Sequence, residues 1–435
     1  MAGLLKTTLT PMGSERAGNA DGSIPAWTGG LTQAPAGWTP DQRMPDLFAS
    51  DPKILTINAT NMAQYKDRLT DGVMEMMSRF PDFRIDVYPT HRTAALPQWV
   101  YDNIYQNALN TQPAQGGSRL GFSGAYGGYP FPIPDPNDPL EAGAQVMWNH
   151  SCRWQGSQFT YQPTTYSMAN GVLTLLVKFN PLSYTFDFYQ KNGNAANYSG
   201  WLNRGYYFGA APPSSAGEEI IVYQPTDPLV NPQRGWELLN GQGRVRQLPE
   251  LQYDVPNSQV QGITNYDESY LFYGALDRYD WRLLGKKEMY IPYNNNKAYP
   301  MSAADYGPNF MNPDLIRYEL HRVWVVDATV HPGDRNVIAH RRYYFDEDTW
   351  TAVLTDSWDA QGNFWKTGLA FNINRPDVPG TIFWDACIYN LQSAEYAHAY
   401  AFDITQPDQY GVIDFTTIPS ESLFNVQNMA ARGQY

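Results

Sequence analysis

Between Glu319 and Phe371 the chain reads ELHRVWVVDATV, NVIAHRRYYF, WTAVLTDSW and NFWKTGLAF, cut by the short turns HPGDR, DEDT and DAQG. Connections this short join only antiparallel neighbours, because a parallel pair needs a crossover of about a dozen residues or more. An antiparallel meander is therefore expected here. Upstream, GVLTLLVKF sets Leu173, Leu175, Val177 and Phe179 on one side, and SYTFDFYQ sets Tyr184, Phe186 and Phe188 on one face. Asn170–Gly171, Asn192–Gly193 and Asn240–Gly241 stand where hairpins need positive φ, the last pair inside WELLNGQGRVRQLP.

Three helices are expected before the strands. Asn61 with Gln64 resembles a capping box, and Met62, Tyr65, Leu69, Val73 and Met76 follow on one stripe, weakened by Gly72. A second helix is predicted from Pro97 through Trp99, Val100, Ile104 and Leu109. The third has the strongest start, with Asp138 at the N-cap, Pro139 at N1 and Glu141 at N3. FRIDVYP suggests a short strand, and the Gly-rich GFSGAYGG a flexible loop. Helices followed by ten or so strands describe an α+β domain whose large sheet curls around helices, with the 62–76 stripe facing the aromatic 184–188 surface. Residues 1–58 lack periodicity, yet Ile24, Trp27 and Trp38 are costly to leave wet. We expect an extended strap packed on a domain spanning 59–405, with a loosely attached tail over 406–435.

A net charge of −13 opposes phosphate backbones and anionic membranes, so no nucleic-acid partner is expected. MAGLLKTTLTPMG lacks the basic head and apolar run of an export signal, and no run of about 18 apolar residues follows. The six histidines are scattered without metal-ligand spacing, although His321 and His340 are candidates to face each other across a hairpin. Nucleophile-elbow and phosphate-loop motifs do not occur. Asp346, Glu347 and Asp348 in DEDTW read as turn residues. No cofactor, metal or catalytic constellation is expected, and the chain reads as non-enzymatic.

The phrases LTPMGSERAGNADGSIPAWTGGL, TINATNMAQYKDRLTDG, YPTHRTAALPQWVYDN, YPFPIP, WELLNGQGRVRQLP, DRYDWRLLGKKEMYIPYN and RYELHRVWVVDATV resemble a bacterial family known as domain of unknown function 1329, over residues 7 to 405. That resemblance implies a LolA/LolB-like half-barrel, an antiparallel sheet closed by helices around an apolar cavity. It also implies export to the periplasm and service beside an outer-membrane protein and a resistance-nodulation-division type transporter, in settings concerned with hydrophobic compounds. No site residues come with it.

On that fold, a carrier for a lipid, acyl chain or other hydrophobic molecule is the leading reading. Phe186, Phe188, Trp236, Leu238 and Trp324 are the expected ligand-binding residues on the concave face; any space left beside the helices should be apolar and roughly 300–1,000 Å³, the alternative being that the helices fill the half-barrel completely. A transporter assembly partner without its own ligand is one alternative, and a carbohydrate-binding or glycoside-processing protein another. In an oxidising compartment Cys152 and Cys387 are candidates for one long-range disulfide, with two buried free thiols as the alternative.

Overall fold

A computed structural model describes residues 1–228, 230–239, 241, 243–248, 253–257, 260, 262–298, 301–405 and 412–432. Among them, sixteen strands join into one open sheet. By hydrogen-bonded neighbours it runs Leu55–Asn58, Arg84–Val87, Arg317–Val330, His340–Asp346, Ala352–Trp358, Phe364–Arg375, Gly380–Asn390, Glu395–Ala401, Thr164–Ala169, Val172–Thr185, Trp201–Ala211, Glu219–Pro225, Arg234–Leu238 and Val245–Leu248. Tyr279–Pro292 pairs beside Arg317–Val330, and Gln158–Tyr161 beside Val172–Thr185. Described pairings in the sheet are antiparallel except where Arg317 and Tyr318 meet Asp86 and Val87. The meander is present, and the hairpin through Asn240 joins paired strands, although Asn240 itself lies outside the described residues.

Central strands are covered on both faces. In Gly380–Asn390, Ala386 and Ile388 enter one core while Cys387 and Tyr389 enter another. This alternation places the two cores on opposite sides of the sheet and explains the nearly unbroken buried runs. Helix α1 (Asp71–Arg79) packs in the second core through Val73, Met76 and Met77, whereas Tyr184, Phe186 and Phe188 lie in the first, so the two expected partner surfaces do not meet. Bulges contribute to this. The register shifts at Thr165/Tyr166, and beside it Leu175 turns to the second core while Val177 and Phe179 turn to the first.

Helix α1 spans Asp71–Arg79, shorter than the expected 62–76. Asn61 is committed elsewhere: its Oδ1 accepts from the Asn58 N–H at 2.9 Å and its amide donates to the Thr56 carbonyl at 3.0 Å. Residues 62–68 therefore form two single 3₁₀ turns, and Thr70 caps the helix by accepting from the Val73 N–H at 3.1 Å. Gly72 is required by close approach, since a Cβ there would lie 2.2 Å from both Asp356 Oδ1 and Thr367 Oγ1. Helix α2 is Gln98–Asn110 and α3 is Pro139–Ser151, the latter capped by Asp138 as its sequence indicates, at about 1 kcal/mol.

The Gly-rich loop is packed rather than flexible. Tyr126, Tyr129 and Phe131 are buried in the first core, and Asn107 of α2 bonds the Tyr126 N–H and the Tyr129 carbonyl. Residues 1–54 contribute one 3₁₀ turn and otherwise irregular chain. Ile24 and Trp27 are buried and Trp38 is half-buried, with the Trp27 indole donating to the Ala94 carbonyl at 2.8 Å. The part of the expected tail from 412 to 432 is packed. Helix α4, Val426–Arg432, and the turn before it bury Phe424 and Met429 against Tyr206, Ile221 and Leu238. Residues 406–411 and 433–435 of the expected tail lie outside the described residues.

Candidate ligand site

Between Val245–Leu248 and Tyr279–Pro292, the segment NYDESYLFYGAL (265–276) dips into the first core and buries Tyr270, Leu271, Phe272 and Leu276 there. A capping box between Asn265 and Glu268 fixes its entry. Two buried ion pairs then hold it to the meander, Asp267 with Arg341 at 2.6 Å and Glu268 with Lys366 at 2.7 Å. Past these anchors the backbone turns left-handed, with φ of 55° at Tyr270 and 64° at Leu271. That conformation costs about 1–2 kcal/mol per residue for L side chains.

Tyr270 fills the middle of the concave wall. Its hydroxyl donates to Tyr184 Oη at 3.3 Å, and the Tyr184 and Tyr207 hydroxyls bond each other closely. Burial pushes all of these phenols upward, so they stay neutral and serve as hydrogen-bond donors and acceptors. Three cavities of about 20, 20 and 30 Å³ each border Tyr270. Each has room for about one water. The cavity beside α3 is walled by Arg153, Phe159, Tyr184, Phe186, Asn203, Phe272 and Tyr273, among others. The expected larger apolar space is thus replaced by a loop-filled interior. Two wider spaces are open surface grooves of about 840 Å³ (Tyr126, Tyr198, Trp201, Tyr223) and 670 Å³ (Trp27, Tyr101, Tyr105).

Of the residues expected to bind ligand, Phe186 borders the interior cavity. Phe188 is buried in the same core, against Phe122, Tyr126 and Tyr198. Trp236 and Leu238 belong instead to the separate cluster under α4, and Trp324 stacks on Trp350 at 5.9 Å with the Lys286 ammonium over its ring. One continuous five-residue surface is therefore not formed. Tyr270, Tyr400 and Arg153 were not indicated by any motif; the only signal was an aromatic-rich stretch between turn formers at 270–273.

The DEDTW turn carries more than turn geometry. Asp346 Oδ2 accepts from the Thr349 N–H at 2.9 Å, as a turn residue should, but Asp346, Glu347 and Asp348 are all buried. Arg92 grips Asp348 with two bonds of 2.8 and 2.7 Å and also donates to the Glu15 carbonyl of the N-terminal segment. Lys286 bridges Glu347 and Glu15 at 2.8 and 2.9 Å. Ligand atoms of His321, Asp346 and Asp348 lie within 4.8 Å of one another, a spacing a metal ion would accept. Asp348 is held by Arg92, His321 Nε2 bonds Glu319 and Asp346 Oδ2 accepts from Thr349, whereas Asp346 Oδ1 has no hydrogen-bond partner among the described residues and lies 3.6 Å from His321 Nδ1. Through Arg92 and Lys286 the group joins strap to sheet. Burial and the neighbouring Asp348 push the Asp346 carboxyl up to about 7. For His321, burial opposes charge, but the bond to Glu319 and the Asp346 charge outweigh it and raise the imidazole.

His321 and His340 do not face each other: His321 is opposite Met289 and His340 opposite Thr329. Cys152 and Cys387 are free, buried and in different cores, so the candidate disulfide is not formed. Among the described residues no helix is long and apolar enough to cross a membrane.

The model of the family described as "Protein of unknown function (DUF1329)" matches residues 56–430. "Uncharacterized protein PA3922" of Pseudomonas aeruginosa is 38% identical over 403 residues, covering 91% of this chain and 86% of that protein. Among solved structures, a DUF1329 family protein from Desulfovibrio piger aligns with a TM-score of 0.46 at 11% identity, over 67% of this chain and all of the other. A putative outer membrane lipoprotein-sorting protein domain from Vibrio parahaemolyticus aligns at 0.45 and 12%, over 67% and 99%. The match across most of its length makes this chain a member of the DUF1329 family.

Proposed function

We propose that this chain is a non-enzymatic carrier or binding protein that takes a hydrophobic molecule, such as a lipid or acyl chain, into the interior occupied by Tyr270. One observation carries the reading: the aromatic concave wall is filled at its centre by a loop in left-handed conformation rather than by a helix or strand. Such a filler leaves without dismantling the sheet. A ligand would replace its contacts, gaining about 25 cal/mol per Å² of apolar surface buried. Asp267, Glu347 and Asp348 are engaged in ion pairs, which supports a structural use of these acids. In this reading residues 1–58 are a strap, 59–405 the carrier domain and 406–435 a tail. The sequence resemblance supports a periplasmic place, serving outer-membrane or envelope transport beside an outer-membrane protein or a resistance-nodulation-division type transporter.

Native mass spectrometry of the protein purified from its own envelope extract tests this. A small apolar adduct released by organic solvent is the expected result. Protein that is bare and also ignores fatty-acid and polycyclic probes contradicts the proposal.

The outer groove favours a second reading. Tyr198, Trp201 and Tyr223 line it beside Gln190, Asn192 and Asn197, a lining suited to sugar rings. Its Asp187 is paired with Arg204 at 2.8 Å, which fits binding rather than hydrolysis. Retention on an oligosaccharide array would favour this reading.

A further inference from the structure

Buried cations in this chain follow one rule. Arg92 pairs with Asp348, Arg317 with Glu319, Arg322 with Glu347, Arg341 with Asp267, Lys366 with Glu268 and Arg375 with Asp377. Arg153 departs from it. The residue is 5% exposed, and among the described residues the one hydrogen bond of its side chain runs from Nη1 to the His150 carbonyl at 2.9 Å, at the C-terminal end of α3. Its Nε has no hydrogen-bond partner among the described residues. No carboxylate among the described residues pairs with it.

What surrounds the guanidinium is aromatic: the Tyr270 and Phe383 rings lie 5.5 and 5.2 Å away. Cation–π contacts and a helix C-terminus each return only part of what an arginine loses on leaving water. Burial accordingly pulls the group down to about 10 from its ordinary range. Two further polar atoms on the same cavity wall, Asn203 Oδ1 and the Tyr273 hydroxyl, also lack hydrogen-bond partners among the described residues. The cavity beside Arg153 holds about one water, and Tyr270 borders it and the other two. Withdrawal of the loop that carries Tyr270, Phe272 and Tyr273 would open these cavities into a chamber with a cation at one end and aromatic walls beyond.

We propose that Arg153 is the head-group anchor of this chamber and that its ligand is an anionic amphiphile, a single oxyanion on an apolar body. This rests on the carrier reading and adds the chemical class. The oxyanion accepts from Arg153 Nε and Nη2, giving charge-assisted bonds in a dry site, and the neutral tyrosine hydroxyls satisfy its remaining lone pairs. The apolar body takes the place of the loop around Tyr270. A neutral ligand of the same shape would leave the guanidinium uncompensated, so charge, not shape, is the source of selectivity.

The test uses the full chain and two probes: an anthroyloxy-labelled long-chain fatty acid and its methyl ester. The wild type should bind the acid at least tenfold more tightly than the ester at neutral pH. Arg153→Met should abolish that preference while keeping ester binding, which also reports that the variant is folded; Arg153→Lys should keep part of it. Inorganic phosphate at millimolar concentration should not displace the acid, because the apolar body is needed; displacement would overturn the amphiphile assignment. Equal binding of acid and ester by the wild type, or an undiminished preference in Arg153→Met, overturns the anchor and leaves the carrier reading standing. Binding of neither probe removes the carrier reading itself. The wild-type ratio decides the question even if the variants fail to fold.

Discussion

Tyr270 and Tyr400 stack with ring centroids 5.0 Å apart and planes 7° from parallel, and both residues hold a left-handed backbone, at φ 55° and 68°. Each ring fixes the other in place: one comes from the inserted loop, the other from the irregular end of Glu395–Ala401, where the register slips between His398 and Ala401. The pair closes the interior. Tyr270→Ala should cost about 3 kcal/mol in urea unfolding, since a large buried side chain is deleted. The same variant should take up a fluorescent fatty-acid probe faster than the wild type. A stopped-flow rate that does not change would mean that Tyr270 is not the gate.

The N-terminal segment should be required for stability. Its Met12 carbonyl accepts from the Trp350 indole at 2.9 Å, and Arg92 ties its Glu15 carbonyl to Asp348. Arg92→Met leaves Asp348 buried without its cation, a loss of roughly 3–5 kcal/mol. Removal of residues 1–40 should lower the melting temperature clearly, and an unchanged value would rule out the structural role.

Asp356 makes stability fall as pH rises. Burial pushes its carboxyl up to about 7 from 3.8, although the Gly72 N–H and the Thr367 and Tyr344 hydroxyls bond it. A folded-state value above the unfolded one means that the folded chain holds the extra proton between about pH 4 and 7. This contribution is full below that window and is lost through it, at roughly 1.4 kcal/mol per pH unit. Asp356→Asn keeps the hydrogen-bonding shape without the charge. It should match the wild type near pH 4 and exceed it at pH 8 in chemical denaturation. Equal stability at pH 8 would contradict the burial argument.

Both thiols should be silent in the native protein. Burial raises each well above its ordinary range, and neither is exposed. Ellman's reagent should find two thiols per chain only after denaturation without reductant. Finding none would mean that the cysteines had bonded.

Local chemistry was legible in the sequence and long-range pairing was not. Asp138, Pro139 and Glu141 announce α3 because a cap acts within three residues. The meander is legible because its turns are short. In contrast, Asn61 and Gln64 mimic a helix start, but the Asn61 side chain serves the 55–58 strand edge. Trp236 and Leu238 show the right alternation, yet the cover over them is α4, nearly 200 residues away. Asp348 reads as a turn residue until Arg92, 256 positions earlier, is found beside it. Arg153 has no sequence signature, because what distinguishes it is a partner that the fold does not supply.

Photolabelling bears most directly on the central claim. The full chain, loaded with a diazirine-bearing fatty acid, irradiated and digested, should carry label on peptides containing Tyr184 and Phe186, Tyr270 to Tyr273, and Tyr400, which together line the interior cavities. Label confined to the outer grooves, on peptides around Trp201 and Tyr223 or around Trp27 and Tyr105, would contradict an interior ligand site.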